Sequence, residues 1–443
     1  MKESKKYFNR KIDSELEVWK DEENHKPLLM RGARQVGKSS AVRNLGKKFN
    51  HFLEINFEED KETCSYFNGN LAPQQICEKI ALKYDTPIIE GKTLLFFDEI
   101  QSCPRAISSL RFFYEKMPDL HVIAAGSLLE FALEDLPSFG VGRVDSMFMY
   151  PFSFYEFMNA CGYSMLCEAV QKTSLENPLD EVLHNKTIEI LRAFLILGGM
   201  PEVVASYAKG KDMYQCQKVL DNLINSLRTD FVKYKQQVPT LQISTAFKAV
   251  TEQMGNKFVY SNSQDYNLRQ IKEAVELLVM AGLVIPVVHT SANGIPLGAQ
   301  VNLRKQKMLV LDTGILQRLL GLKLIDILVS KEFDFVNKGN IAELYVGLEL
   351  IKATSFYEMA QLYYWQRDKR NSQAEVDYVL QKNYDIVPLE VKSGKQGKMQ
   401  SLNLFLKEKE LPFGYRTSLE NYAEYGKIKV IPLYAVAELM KYP

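Results

Sequence analysis

The sequence predicts an α/β protein: a parallel sheet covered on both faces by helices, then a helical stretch, then mixed units of helix and short strand. Three observations predict this order. Apolar runs alternate with helical spacing up to about residue 150, strand-like runs are missing from about 153 to 235, and short strands return towards the C-terminus. Alternation of strand and helix implies parallel pairing, because a helix must carry the chain back before the next strand can run in the same direction. At 443 residues the chain exceeds what one core can organise and suggests about two to four domains.

In the first segment "PLLMRGA" (27–33), "HFLEINF" (51–57), "TLLFFDEI" (93–100), "HVIAAGS" (121–127) and "SMFMYPF" (146–152) read as strands, and 39–49, 73–84 and 105–117 carry helical spacing. Between 153 and 236, "FSFYEFMNACG", "NKTIEILRAFLILGG" and "YQCQKVLDNLINSLRTDFVKYK" place apolar residues three and four apart, the spacing of an amphipathic helix. Residues 237–320 hold two helices, "QISTAFKAVTEQMG" and "NLRQIKEAVELLVMAGL", leading into the apolar run "VIPVVHT", an order that suggests a winged helix. In 321–443 the helix "NIAELYVGLELIKA" precedes three strands, "LYYWQR", "AEVDYVL" and "IVPLEVKS", separated by turn-rich pieces.

Composition narrows the function classes. Hydrophobic content of 46% and charged content of 25% are those of a globular protein, and the net charge of +1 leaves no global footprint for nucleic acid, so any such binding must use local patches. The six cysteines include no C-x-x-C pair, which argues against a zinc ribbon and a disulfide framework and fits a reducing compartment. The charged N-terminus has no apolar signal core, and the longest apolar stretch, "AFLILGGM" (193–200), is far short of the roughly 20 residues of a membrane span. The expected location is the cytoplasm, with no membrane partner.

"GARQVGKS" (32–39) matches G-x-x-x-x-G-K-[ST] in every fixed position, after an apolar strand and at the start of a helix. Gly32 and Gly37 allow the backbone to wrap a phosphate where a Cβ would block the approach. Backbone amides and the helix N-terminus then face the anion, Lys38 reaches the outer phosphates, and Ser39 offers its hydroxyl to Mg²⁺. About sixty residues later "LLFFDEI" (94–100) ends a strand in two carboxylates. Asp98 is placed to hold the Mg²⁺ shell and Glu99 to activate the attacking water. Ser127, at the end of "HVIAAGS", reads either as a sensor of the terminal phosphate or as the N-cap of the next helix. Arg143, in a Gly-flanked loop, reads either as a phosphate-facing arginine or as a solvated one. "GGMPE" (198–202) reads as a base-pocket lining or as a turn.

Together with "AAGSLLE", "GRV…YPFSFYEF", "GGMPEVV", "LDTGIL", "GNIAELYV" and "EVDYVL…PLEVKSGK", these strings resemble the prokaryotic AAA-type P-loop ATPases that carry a C-terminal winged helix and a restriction-endonuclease-like, PD-(D/E)xK-type domain. The resemblance runs over nearly the whole chain. It implies an AAA-type P-loop NTPase core over 1–152, a helical subdomain over 153–236, a winged helix over 237–320 and an α+β restriction-endonuclease-like domain over 321–443. ATP is then the nucleotide, held by Gly32, Ala33, Arg34, Gln35, Val36, Gly37, Lys38, Ser39, Ser40 and Asp98. The sequence has "AAG" before Ser127 where relatives often have Thr-Gly, which touches only the sensing of the terminal phosphate. A homo-oligomer is also raised, in which Arg143 serves its own subunit or a neighbour.

At the C-terminus, Asp377 lies on "AEVDYVL", and Glu390 and Lys392 lie on "IVPLEVKS", so a short turn makes Asp377 and Glu390 neighbours on antiparallel strands. Glu343 on the preceding helix can lean towards the same sheet. Carboxylate oxygens suit Mg²⁺ or Mn²⁺, which lower the pKa of bound water, and Lys392 can orient the resulting hydroxide. Taken alone, the spacing also fits an exposed charged strand face. The resemblance carries the metal-ligand roles over to Glu343, Asp377 and Glu390 and the catalytic role to Lys392. Basic residues Arg367, Lys369, Arg370, Lys395 and Lys398, and the string "NLRKQK" (302–307), read as nucleic-acid contacts or as solvated charge. The expected function is ATP hydrolysis coupled to a module that binds, and in one reading cleaves, DNA or another nucleic acid. The alternative is an ATP-dependent switch whose C-terminal module binds DNA or protein without cutting.

Overall fold

The computed structural model describes residues 6–134, 142–232, 238–260, 267–324, 338–368, 374–394 and 399–440. The chain divides into two compact units, Met1–Pro151 with Ser355–Met359, and Phe152–Thr354 with Ala360–Pro443.

The first unit contains α1 (Lys11–Asp21), β1 (Leu28–Arg31), α2 (Lys38–Gly46), β2 (His51–Asn56), α3 (Pro73–Tyr84), β3 (Thr93–Asp98), α4 (Pro104–Lys116), β4 (His121–Ala125), α5 (Leu129–Glu134) and β5 (Asp145–Phe148). Its five strands are all parallel, in the order β2-β3-β4-β1-β5. Every residue of β3 and β4 is buried, as strands covered on both faces require, which is why they read as unbroken apolar runs rather than as alternation. Phe57, Phe67, Phe97 and Phe113 fill one side of the sheet, with ring centroids 5.6–6.1 Å apart in tilted or edge-on contact. The register sets Asn56 at the end of β2 level with Asp98 at the end of β3. Arg10, just before α1, is buried and donates to the carbonyls of Val36 at 3.2 Å and Tyr150 at 2.8 Å.

One expectation is corrected here. Cys64 and Cys103 form a disulfide. They lie 39 residues apart, Cys64 in a short 3₁₀ helix after β2 and Cys103 just before α4. Pairing of β2 with β3 brings the two segments together, a juxtaposition that local cysteine spacing does not register. Cys77, Cys161, Cys167 and Cys216 are free.

The second unit opens with α6 (Phe154–Ala160), α7 (Ser164–Gln171), α8 (Glu181–Leu197), α9 (Pro201–Gly210) and α10 (Met213–Asp230). Helices α11 (Thr240–Glu252) and α12 (Leu268–Met280) lead to a hairpin of β6 (Val284–Thr290) and β7 (Val301–Val310), followed by α13 (Thr313–Leu319). The rest comprises α14 (Lys338–Ala353), β8 (Leu362–Gln366), β9 (Glu375–Lys382), β10 (Asp385–Val391), α15 (Gln400–Glu408), β11 (Gly414–Ser418), β12 (Ala423–Tyr425) and β13 (Ile428–Pro432).

The hairpin does not stand apart from the C-terminal strands. β6 pairs in parallel with β8, and a single eight-stranded sheet runs β12-β13-β11-β10-β9-β8-β6-β7, across the boundary drawn at 320/321. A turn and two apolar runs reveal a hairpin in sequence, but which strand joins its open edge is a long-range choice. The sequence reading also passed over β11, β12, β13 and α15. There β10 and β11 run parallel with α15 as the intervening helix, and β11 pairs in parallel with β13.

"GGMPE" is a packing turn between α8 and α9. Gly198 has φ 74°, and a Cβ there would fall 2.0 Å from the Asp312 carboxylate. Asp312 is buried and accepts from the amide of Gly199 at 2.6 Å and, as N-cap of α13, from that of Ile315 at 3.0 Å. Replacing it would orphan two buried donors, each worth about 1–3 kcal/mol. Asp312→Ala is therefore expected to destabilise the second unit by about 3 kcal/mol, read as a lower urea midpoint with an unchanged slope.

Candidate nucleotide site and carboxylate cluster

The nucleotide site lies at the carboxyl ends of the first unit's parallel strands, where an open α/β sheet leaves room for a ligand. The chain leaves β1 through Gly32 at φ 131°, where a Cβ would sit 2.2 Å from the Met149 carbonyl oxygen. Gly37, left-handed at φ 106°, caps α2, and Gln35 takes a left-handed φ of 64° at the exposed tip. Ala33 and Val36 are buried beneath the loop, Arg34 is half-buried and Ser40 is exposed. Lys38 is buried and donates to the carbonyls of its own loop, Gly32 at 2.8 Å and Ala33 at 2.9 Å. Burial lowers the Lys38 pKa to about 8, against the pull of Glu99 and Asp98.

Ser39 Oγ donates to Asp98 Oδ1 at 3.1 Å, so the hydroxyl and the carboxylate are already side by side. Asp98 also accepts from the Glu99 amide at 3.1 Å, and burial raises its pKa. These hard oxygen donors, beside a loop whose amides and lysine suit phosphate, fit Mg²⁺ and a nucleoside triphosphate. Arg43, which the sequence reading passed over, pairs with Glu54 at 2.6 Å and lies 3.9 Å from Asp98.

Glu99 leaves the strand with a left-handed φ of 49°, uncommon outside glycine and a form of strain found at functional positions. Its carboxylate accepts from Gln101 Nε2 at 2.7 Å and from Ser127 Oγ at 3.4 Å. Ser127 thus turns towards Glu99, the outcome that its place at the end of β4 left open. Gln101 was missed. Its signal is a polar residue two beyond the carboxylate pair, in the 3₁₀ turn Ile100–Ser102 that re-aims the chain. Gly126 makes space for it, since a Cβ there would meet Gln101 Oε1 at 2.1 Å. Arg143 donates through its Nε to Glu115 on α4 at 2.5 Å, a half-exposed ion pair.

In the second unit the antiparallel register of β9 and β10 sets Leu389 opposite Tyr378, which brings Asp377 level with Glu390. Asp377 accepts from the Val391 amide at 2.8 Å, and Lys392 Nζ donates to Glu390 at 2.7 Å. Glu343, on α14, joins them through a residue that the sequence reading placed in a charged loop. Lys307, the last of "NLRKQK", is only 1% exposed and donates to Glu343 at 2.7 Å and Glu375 at 2.5 Å, with Asp377 at 4.0 Å. It is an internal cation and not a nucleic-acid contact. The signal was there in "KQKMLVL", where strand alternation from the buried Leu309 inward puts Lys307 on the same face.

Burial works against the Lys307 charge, but Glu343, Asp377 and Glu375 outweigh it and hold its pKa above the ordinary value. Burial also pushes Glu343 up to about 8 and Glu390 up to about 7, with Asp377 adding to both. One oxygen of Glu390 is buried with no hydrogen-bond partner. Among the described residues, no group of three or more His, Cys, Asp and Glu side chains is arranged to hold a metal ion. The carboxylates expected to bind Mg²⁺ or Mn²⁺ are brought together, but around an ammonium group, and they do not fit the metal as they stand. Of the remaining basic candidates, Arg367 pairs with Glu408 and Lys305 with Asp368, while Lys369, Arg370, Lys395 and Lys398 lie outside the described residues.

Residues 24–158 match an AAA domain. That match, laid on a parallel sheet bearing the phosphate loop, supports a P-loop ATPase core. Beyond the AAA domain, residues 188–325 and 338–436 match two domains of unknown function, DUF8612 and DUF4143. No curated protein matches the chain. Among solved structures, the Walker-type ATPase paby2304 of Pyrococcus abyssi is 15% identical, with a TM-score of 0.46 over 71% of this chain and 96% of its own. PCH-2 of C. elegans is 10% identical, with a TM-score of 0.23 over 61% of this chain and 66% of its own. Among the described residues no helix is long and apolar enough to cross a membrane.

The hold of Gln101 on Glu99 is open to test. Gln101→Leu is expected to lower kcat for ATP about tenfold while KM stays within about twofold, because the carboxylate loses its orientation and the loop is untouched. Steady-state phosphate release measures both.

Proposed function

We propose that this chain binds ATP through Gly32–Ser40 and hydrolyses it with Glu99 as the proton acceptor, and that its C-terminal module engages nucleic acid without cutting it. The observation that carries the first part is the preassembled pair of Ser39 and Asp98 beside a glutamate held by Gln101 and Ser127. Lys38 would exchange its two loop carbonyls for phosphate oxygens, an exchange eased by the burial that already destabilises its charge. Ser39 and Asp98 would hold Mg²⁺, which supplies electrostatic stabilisation of the charge on the phosphates. Glu99 takes the proton of the attacking water as the bond between the terminal phosphorus and its bridging oxygen breaks, leaving ADP and phosphate. Gln101 and Ser127 keep the carboxylate aimed.

For the C-terminal module, the resemblance supports nucleic acid as the partner, and the exposed Leu303 and Arg304 of β7 offer an apolar and a basic contact. Cleavage is left out because Lys307 stands among the carboxylates that a metal would need.

Three outcomes test this reading. Lys38→Ala should abolish ATP binding in calorimetry. Glu99→Gln should retain binding while turnover falls by about 10²–10⁴, and normal turnover in that variant would remove Glu99 from the role of base. Wild type and Asp377→Ala should be equally inert on single- and double-stranded DNA with Mg²⁺ or Mn²⁺, both shifting DNA in a gel. Cutting by wild type alone would restore the nuclease.

A further inference from the structure

We infer that Lys307 is the resident cation of the C-terminal carboxylate cluster: its ammonium group occupies the place of a divalent ion, and neutralising it would uncover a Mg²⁺- or Mn²⁺-binding site. The inference rests on the geometry of this cluster and deepens the non-cleaving reading of the module, while standing apart from the nucleotide chemistry.

Glu343, Glu375, Asp377 and Glu390 bring four carboxylates together, and two ammonium groups, Lys307 and Lys392, lie among them. The two are not equivalent. Lys392 pairs with Glu390 and is more than a quarter exposed, so it can swing out to water. Lys307 is enclosed, touches acids from α14 and β9 at once, and lies 5.3 Å from the centre of the Tyr364 ring. Its strand is fixed by pairing with β6, so the ammonium is delivered by the sheet and not by a mobile loop.

A divalent ion needs several oxygens at about 2.0–2.6 Å, and Lys307 already holds two of the carboxylates that would supply them. A second cation within about 4 Å of an enclosed ammonium is strongly repelled, since water screens neither charge. The cluster nevertheless keeps more acid than base, and one Glu390 oxygen is buried without a hydrogen-bond donor. Oxygen donors for a hard cation are therefore present, and Lys307 is what stands in the way.

The test uses the full chain, free of nucleotide, titrated with Mn²⁺ and followed by loss of the free-ion paramagnetic resonance signal. Asp377→Asn in each background reports what belongs to the cluster. Wild type should show no Mn²⁺ binding that Asp377→Asn removes. Lys307→Met, which keeps the stem and drops the charge, should gain a site at least about tenfold tighter than any in wild type, and Asp377→Asn should abolish it. An Asp377-dependent Mn²⁺ site in wild type, or a folded Lys307→Met without the gain, overturns the inference. Should Lys307→Met fail to fold, acetylation of wild-type lysines read by mass spectrometry decides. Lys307 should stay unmodified with and without Mn²⁺, and Mn²⁺-dependent exposure of Lys307 overturns the inference. ATP turnover and DNA binding, measured alongside, fail or hold independently of these results.

Discussion

A charge removed from water must find a partner, and that constraint decides how both units of this protein are built. Lys38 is folded onto its own loop, Asp98 onto Ser39 and a backbone amide, and Asp312 onto two amides from separate segments. Lys307 is surrounded by acids. Each of these groups is buried, and the contacts of Asp98 with Ser39, of Asp312 with Gly199 and of Lys307 with Glu343 join stretches far apart in the chain.

The two clusters use the constraint in opposite ways. In the nucleotide site the pairings are exchangeable. The carbonyls that hold Lys38 are weak partners compared with a phosphate, and the Ser39 hydroxyl can give up its bond to Asp98 for a metal, so a phosphate ligand with its metal would satisfy every group better. In the C-terminal cluster an enclosed ammonium group is held by acids whose own ionisation burial opposes. There a lysine fixed by sheet pairing is hard to displace, and the same acids that would make a metal centre make an internal ion pair network. Similar residue types thus give a receptive site in one unit and a satisfied one in the other.

Much of this was legible in the sequence, for reasons that are local. The phosphate loop is recognisable because its glycines, lysine and serine must occur at fixed spacing on a strand-to-helix turn, and the paired acids because they end an apolar strand. The central strands β3 and β4 of the first unit stand out as apolar runs because both of their faces are covered. Asp377 and Glu390 could be set opposite each other because a short turn fixes antiparallel register. What escaped was decided over long distances. The disulfide between Cys64 and Cys103, the joining of the β6–β7 hairpin to β8 and the last three strands depend on which edges meet, and no local spacing encodes that. Arg143 shows the same limit, since nothing near it in the chain announces Glu115.

The sequence by itself determined the strands of the first unit, the phosphate loop and the pair of acids that faces it, because those follow from spacing along a few residues. Only the tertiary structure decided that Gln101 and Ser127 grip Glu99, and that Lys307 fills the cluster of Glu343, Glu375 and Asp377. A lysine in a charged string looks solvated until the fold removes the water around it. Its role is then set by whichever charges the sheet has brought to its side.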